Sequence, residues 1–211
     1  MAVSDAQICN MALTQLGAKR ITTLTEDSKN ARECNAVFDN VRDAVLTDYI
    51  WTFAQKRVAL ATVAGDPVWT DDLMTVVYQK PSDFLQLNFV NIETAKVRVE
   101  GDQILSDTAS LKIKYTFRQT DTTVYHPKFT EAFAARLALE LAFAITSNRS
   151  LAESAATIYY EKKLPNAQSI DAMQETPLQP MHDELIVART QGSSQLIGRT
   201  GWSTWFPVCH F

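Results

Sequence analysis

A chain of 211 residues, 46% of them hydrophobic, is long enough to bury a core and suits one domain with an elaboration or two small ones. Its formal net charge of −4, with no run of like charges, argues against a protein held to nucleic acid or a membrane surface by overall positive charge, while leaving room for a local basic patch. Cys9, Cys34 and Cys209 stand far apart with no CxxC, which gives neither a zinc site nor a disulfide framework.

The opening Met1–Asp5 has no basic stretch followed by an apolar run, so no signal peptide is expected and synthesis in a cytoplasm is. A first helix is predicted from about Ser4 to Leu16, with Ser4 as N-cap, Gly17 as stop, and Ile8, Met11, Ala12 and Leu16 as one apolar stripe. Cys9 and Cys34 read as small core residues in a reducing compartment. After a link holding Ile21 and Leu24, Ser28 opens a second helix to about Tyr49. Its apolar positions include Ala31, Cys34, Phe38, Val41 and Val45, with Asp39, Arg42 and Asp43 mostly on the other side. Ile50 to Arg57 is a dense aromatic and basic knot, read as a core corner at a helix end: Trp51 and Phe53 close the bundle, and Lys56 and Arg57 face water or a carboxylate.

From Asp66 the texture changes. Leu73–Tyr78, Phe84–Val90, Ala95–Glu100, Gln103–Leu105 and Leu111–Phe117 are short, rich in β-branched and aromatic residues, and partly alternating. In the last of these the lysines fall on one face, and Leu111, Ile113, Tyr115 and Phe117 on the other. With turn residues at Glu100–Asp102 and Ser106–Asp107, the block reads as an antiparallel meander.

Phe129 to Ile145 is the longest apolar stretch, and between Ala132 and Ile145 its only charges are Arg136 and Glu140. Four apart, these two can meet on one side of a helix that is otherwise buried all round. The stretch is too short to span a bilayer, which needs about 20 apolar residues. His126-Pro127 starts this helix and Thr146-Ser147-Asn148 ends it. A last helix follows from Ser150 to about Met173, with Leu151, Ala155, Ile158, Tyr159, Ala167, Ile170 and Met173 as its apolar face and Pro165 expected to kink or split it.

The predicted fold class is therefore α+β: a bundle of about four helices interrupted by a small antiparallel β-sheet, with an extended C-terminal arm. The expected division is 1–64 for the first helical pair, 65–120 for the inserted strands, 121–175 for the second pair and 176–211 for the arm. Phe38, Val41, Trp51, Phe53, Phe133, Leu137 and Leu141 are the predicted bundle core. In the arm, Gly192, Gly198 and Gly201 are interspersed with Trp202, Trp205, Phe206 and Phe211. Burial of those aromatics roughly offsets the entropy of ordering the segment, so it needs a preformed surface, either its own bundle or another subunit.

Signals of catalysis are weak. His126, His182 and His210 are far apart, and no HExxH, GxSxG, GxxxxGK[ST] or GxGxxG motif occurs. Asp71-Asp72 and Glu26-Asp27 are adjacent carboxylates of the kind usually solvated or capping. No enzyme activity, metal or cofactor is expected.

The run Cys9-Asn10-Met-Ala12-Leu-Thr-Gln-Leu16-Gly17, then Ile21, Leu24, Ala31, Cys34, Val37, Phe38, Arg42-Asp43 and Leu46, ending in Trp51-Thr-Phe53-Ala54, resembles the opening of head-to-tail adaptor proteins of tailed bacteriophages, the tail tubular protein A group among them. The resemblance continues through Tyr78-Gln-Lys-Pro81-Ser-Asp83-Phe84-Leu85, Ile113-Lys-Tyr115, Phe129-Thr-Glu-Ala132-Phe133 and Leu137-Ala138-Leu-Glu140-Leu141-Ala142, and spans about residues 8 to 175. Pro165 and the closing aromatic run depart from the family pattern.

The resemblance implies a non-catalytic virion protein at the portal vertex. Family members form a ring, usually of twelve copies, between the portal protein and the tail tube or nozzle protein, and the genome passes through without specific binding. It further implies that the arm grips the portal or a neighbouring subunit, with Arg189, Leu196, Trp202, Trp205 and Phe206 at the contact. The alternative is a tail component that binds or cleaves host surface glycans, with Trp69, Trp202 and Trp205 stacking on sugars. A monomeric helix-turn-helix regulator would need a basic second helix, and the Ser28 helix carries mixed charge on its exposed face.

Overall fold

The computed structural model describes residues 3–63 and 74–174. Helix α1 (Asp5–Gln15) begins with a capping box. The Ser4 hydroxyl accepts from the Gln7 amide at 3.3 Å and the Gln7 side chain accepts from the Ser4 amide at 2.9 Å. It stops where Gly17 takes φ +67°, which lets Ala18 N–H reach the Leu13 carbonyl at 2.9 Å and close the last turn. Asn10 then holds the following link: its amide side chain donates to the Ile21 carbonyl and accepts from the Ile21 amide, both at 2.8 Å. That two-bond clamp seats Ile21 in the core, 5% exposed.

Helix α2 (Lys29–Thr47) is capped by Ser28, and α3 (Pro127–Thr146) by His126, whose Nδ1 accepts from the Lys128 amide at 3.2 Å. Helix α3 is the centre of the bundle and packs on α1, α2 and the helices that follow it. Ten of its residues are buried, so a sequence apolar nearly all round meets a neighbour nearly all round. Arg136 and Glu140 form the expected ion pair at 3.0 Å on its remaining side. Ser147, in the left-handed region at φ 54°, ends α3, and Asn148 caps α4 (Arg149–Thr157).

Pro165 does not break the last helix. The chain passes from α4 through a π-helical segment, Ile158–Lys163, into α5 (Leu164–Ala172). A proline lacks the N–H for the normal bond and its ring crowds the carbonyl four residues back, and the wider turn just before it relieves both problems. On this last helix Ala155, Tyr159 and Ala167 are buried as predicted. Met173 is 78% exposed, and Asp171, 4% exposed, takes the inward position. The Asp171 carboxylate accepts from the Thr52 amide at 3.0 Å and the Thr52 hydroxyl at 2.8 Å. A satisfied buried carboxylate thus replaces the expected hydrophobic contact.

The predicted core residues Phe38, Val41, Trp51, Phe133, Leu137 and Leu141 are buried together, and Phe53 packs half-buried against them. Trp51 meets Phe129 edge-on at 4.9 Å, and Phe53 meets the same ring at 4.8 Å. Arg42 lies with the buried residues of α2, contrary to its expected exposed position. Its guanidinium bonds Asp39 at 2.8 Å and Asp43 at 3.2 Å, and Arg118 joins Asp43 at 2.7 Å. The stem of an arginine packs as an apolar group when its head is paired in this way.

The strands differ from the predicted single meander. Strands β1 (Gln55–Ala59), β6 (Lys112–Phe117) and β3 (Phe84–Val90) form one antiparallel sheet in the order β1-β6-β3. Strands β2 (Val76–Gln79), β5 (Gln103–Ser106) and β4 (Val97–Glu100) form a second, in the order β2-β5-β4. Only β4 and β5 are joined by the predicted tight turn, with Gly101 at φ +53°. The reason is β1, which starts in the aromatic and basic knot, runs past its end, and gives β6 a partner on its second side. The fold class is α+β, with one bundle and two small sheets rather than one. The sheets share a core of Tyr78, Ile104, Leu111, Ile113 and Tyr115, and a bridge between Thr62 and Tyr78 connects them.

Candidate functional site

The predicted contact residues Arg189, Leu196, Trp202, Trp205 and Phe206 lie outside the described residues, as do Trp69, His182, His210, Cys209 and Asp71-Asp72. The other adjacent pair is structural: Glu26 accepts from the Thr22 amide at 2.8 Å and Asp27 pairs with Arg32. Cys9 and Cys34 are buried free thiols, and the neighbouring Cys34 thiol, with burial, pushes the Cys9 thiol well up. Among the described residues no group of three or more His, Cys, Asp or Glu is placed to hold a metal ion. Nor is any described helix long and apolar enough to cross a membrane.

The most developed surface feature is a groove on the outer face of the β1-β6-β3 sheet. One wall is Thr47–Ile50, the end of α2 and the residues after it, and the groove encloses about 800 Å³. Its floor is set by strand register. Arg57 on β1 faces Lys114 on β6, and Lys114 faces Phe89 on β3, so two cations and an aromatic ring form one row across three strands. Phe89 is 56% exposed and Ile50, on the wall, 46%.

Two irregularities in β3 put Phe89 there. The register of β3 against β6 shifts between Phe84 and Gln86 and again between Leu87 and Phe89. Phe84, Leu87 and Val90, three apart, all pack into the sheet core. Phe89 faces outward, and the two shifts set it opposite Lys114. Strict alternation from Phe84 also turns Phe89 outward, because the two shifts cancel in facing; what they change is its neighbour, Lys114 in place of Lys112.

Gln86 and Asn88 complete the floor, and Gln55 lies in a smaller neighbouring hollow with Thr52, Arg57 and Lys114. Gln55 Nε2 donates to the Ile50 carbonyl at 3.2 Å and Asn88 Nδ2 donates to the Thr116 hydroxyl at 2.8 Å. Their other ends, Gln55 Oε1 and Asn88 Oδ1, are buried and have no hydrogen-bond partner. The carboxylate on the wall, Asp48, accepts from the Tyr159 hydroxyl at 2.5 Å. Burial, with that bond adding to it, pushes the Tyr159 phenol well above its ordinary value.

A second polar cluster, at the end of the same sheet, is structural. Asp83 pairs with Lys56 and accepts from the Tyr115 hydroxyl at 2.9 Å. Burial alone would raise the Asp83 carboxyl, but the bonds from Lys56 and Tyr115 outweigh it and hold it below the usual carboxylate range. Burial, with the Asp83 bond in support, pushes Tyr115 up to about 12. A carboxyl lowered in the folded state stabilises above its unfolded pKa, and that contribution is lost as pH falls through the folded value. Asp83→Asn should therefore cost about 1 kcal/mol at pH 7, and the difference from the parent should vanish below pH 3.8 as Asp83 itself protonates. Urea unfolding at pH 7 and in acid checks this, and an equal difference at both would contradict it.

The structure thus defines an α+β protein with a groove on one sheet face. No protein-family model and no curated protein matches the chain.

Proposed function

We propose that this is a structural virion protein, a head-to-tail adaptor that forms a ring between the portal and the tail tube or nozzle and surrounds the DNA channel. The observation that carries the reading is where the family-like residues sit. Cys9, Ala12, Leu16, Ile21, Ala31, Cys34, Phe38, Trp51, Ala54, Phe129, Ala132, Phe133, Leu137 and Leu141 belong to one continuous core. Tyr78, Ile113 and Tyr115 belong to the core of the strands inserted into it. Burial of these residues in packed interiors is what a shared fold would require.

The surface agrees with a contact role. Ile50, Phe89, Phe143, Tyr160 and Met173 are large apolar or aromatic side chains between 46% and 78% exposed. Side chains of this kind become assembly surfaces where they fall into one patch. A net charge of −4 suits a channel through which DNA must move, because a basic lining would hold the phosphates. In this proposal the bundle builds the ring wall, the strands face the next tail component, and the arm grips the portal through Arg189, Leu196, Trp202, Trp205 and Phe206.

Deletion of residues 192–211 tests the arm. Co-assembly with the portal should be lost while the helical circular dichroism of the bundle is kept. Unchanged binding would remove the arm from the contact.

A further inference from the structure

Cys9 and Cys34 stand far apart in the chain, and the fold brings them together. Cys9 lies on the buried face of α1 and Cys34 on that of α2, both with no exposed surface and both in one hydrophobic core. Each thiol is the strongest electrostatic influence on the other, so the two side chains are neighbours. Hydrogen bonds account for the placement. Asn10, next to Cys9, clamps the Ile21 backbone, and Asn30, one turn before Cys34, donates to the Lys19 carbonyl at 2.8 Å. One side chain from each helix therefore grips the same link at points no more than about 7 Å apart, which sets the level of α1 against α2 at the cysteines.

Two further observations bear on what the pair can do. Among the described residues no group of three or more His, Cys, Asp or Glu is placed to hold a metal ion, so the thiols lack the additional ligands that a zinc site needs. Their available chemistry is with each other. Helices α1 and α2 also pack chiefly on α3 rather than on one another, which leaves the link and its two clamps as the main direct tie between them. A bond between the sulfurs would close a loop of about 25 residues, and closing a loop of that size restricts the unfolded chain far more than the folded one.

We propose that Cys9 and Cys34 form a redox-operated lock: on oxidation they join in a disulfide that ties α1 to α2 and stabilises the bundle. Two S–H bonds break and one S–S bond forms. Two protons and two electrons pass to the oxidant, a diazene such as diamide, which becomes the corresponding hydrazine. Because both thiols are buried, the oxidant reaches them only when α1 opens locally, so the reaction is slow in the native protein. The bond, once formed, is shielded from reductant by the same core. The inference stands on the thiol pair alone and holds whether or not the adaptor reading does.

The test uses the full-length chain carrying Cys209→Ser, which leaves Cys9 and Cys34 as its cysteines. After prolonged treatment with diamide the protein is unfolded in urea with N-ethylmaleimide, and its intact mass is measured. The expected product is a monomer two hydrogens lighter than the untreated chain and without label. Its melting temperature should rise by about 5 °C or more, and the rise should be absent when the melt is run with dithiothreitol. Adding Cys9→Ala should leave one labelled thiol and no rise. Two labels after treatment just below the melting transition would overturn the proposal, as would oxidation that gives only dimers between chains. A disulfide that lowers the melting temperature, or leaves it unchanged, would overturn it too, because the pair would then be held in a geometry that opposes the bond.

Discussion

Trp51→Ala should destabilise the protein by about 3–5 kcal/mol, a large part of the roughly 5–15 kcal/mol that a domain has. Trp51 is 1% exposed and joins the end of α2 to the start of α3. Its ring meets Tyr49 at 5.1 Å and Phe129 at 4.9 Å, both edge-on, and its indole N–H donates to the Val45 carbonyl at 2.8 Å. Truncation would open a cavity between packed aromatics and orphan a buried carbonyl near the C-terminal end of α2. Trp51→Phe keeps most of the ring and loses the donor, so it should fall between the two. Urea unfolding followed by circular dichroism reads the series. A loss under about 1 kcal/mol for Trp51→Ala would show that the aromatic corner does not hold the bundle together.

Asp171→Ala should cost about 2–4 kcal/mol, more than an ordinary polar substitution. The carboxylate binds both the backbone and the hydroxyl of Thr52, and so ties the last helix to the turn that enters β1. Its removal leaves the Thr52 amide, in a half-buried turn, without its acceptor. Thr52→Ala keeps the backbone bond and should cost about half as much or less. A double-mutant cycle should then return a coupling of about 1 kcal/mol between the two side chains. Additive effects would place the contribution of Asp171 elsewhere.

The helices were legible because each carries its own signals. Ser4 and Gly17 bound α1, Ser28 opens α2, and α3 is apolar on nearly every side because neighbours cover it nearly all round. The strand over Phe84–Val90 was legible down to its ends. What the sequence did not disclose depends on partners distant in the chain. Strand β1 is five residues next to an aromatic knot, and it becomes a strand only because β6 pairs with it. The second sheet follows from that pairing. Arg42 and Asp171 look like surface residues until Asp39, Asp43 and Thr52 are seen beside them. In β3 alternation gives the outward face of Phe89, but its place opposite Lys114 and the inward turn of Leu87 depend on two register shifts that no periodicity encodes. The arm and its predicted contacts fall outside the described residues.

The adaptor reading is tested most directly by mass photometry of the protein alone and mixed with the portal protein of the same particle. The account predicts that the mixture contains the portal ring carrying a fixed number of added 23.6 kDa subunits, near twelve, whatever the state of the protein by itself. A mixture that resolves only into the two separate species, at concentrations well above those of assembly, would contradict it.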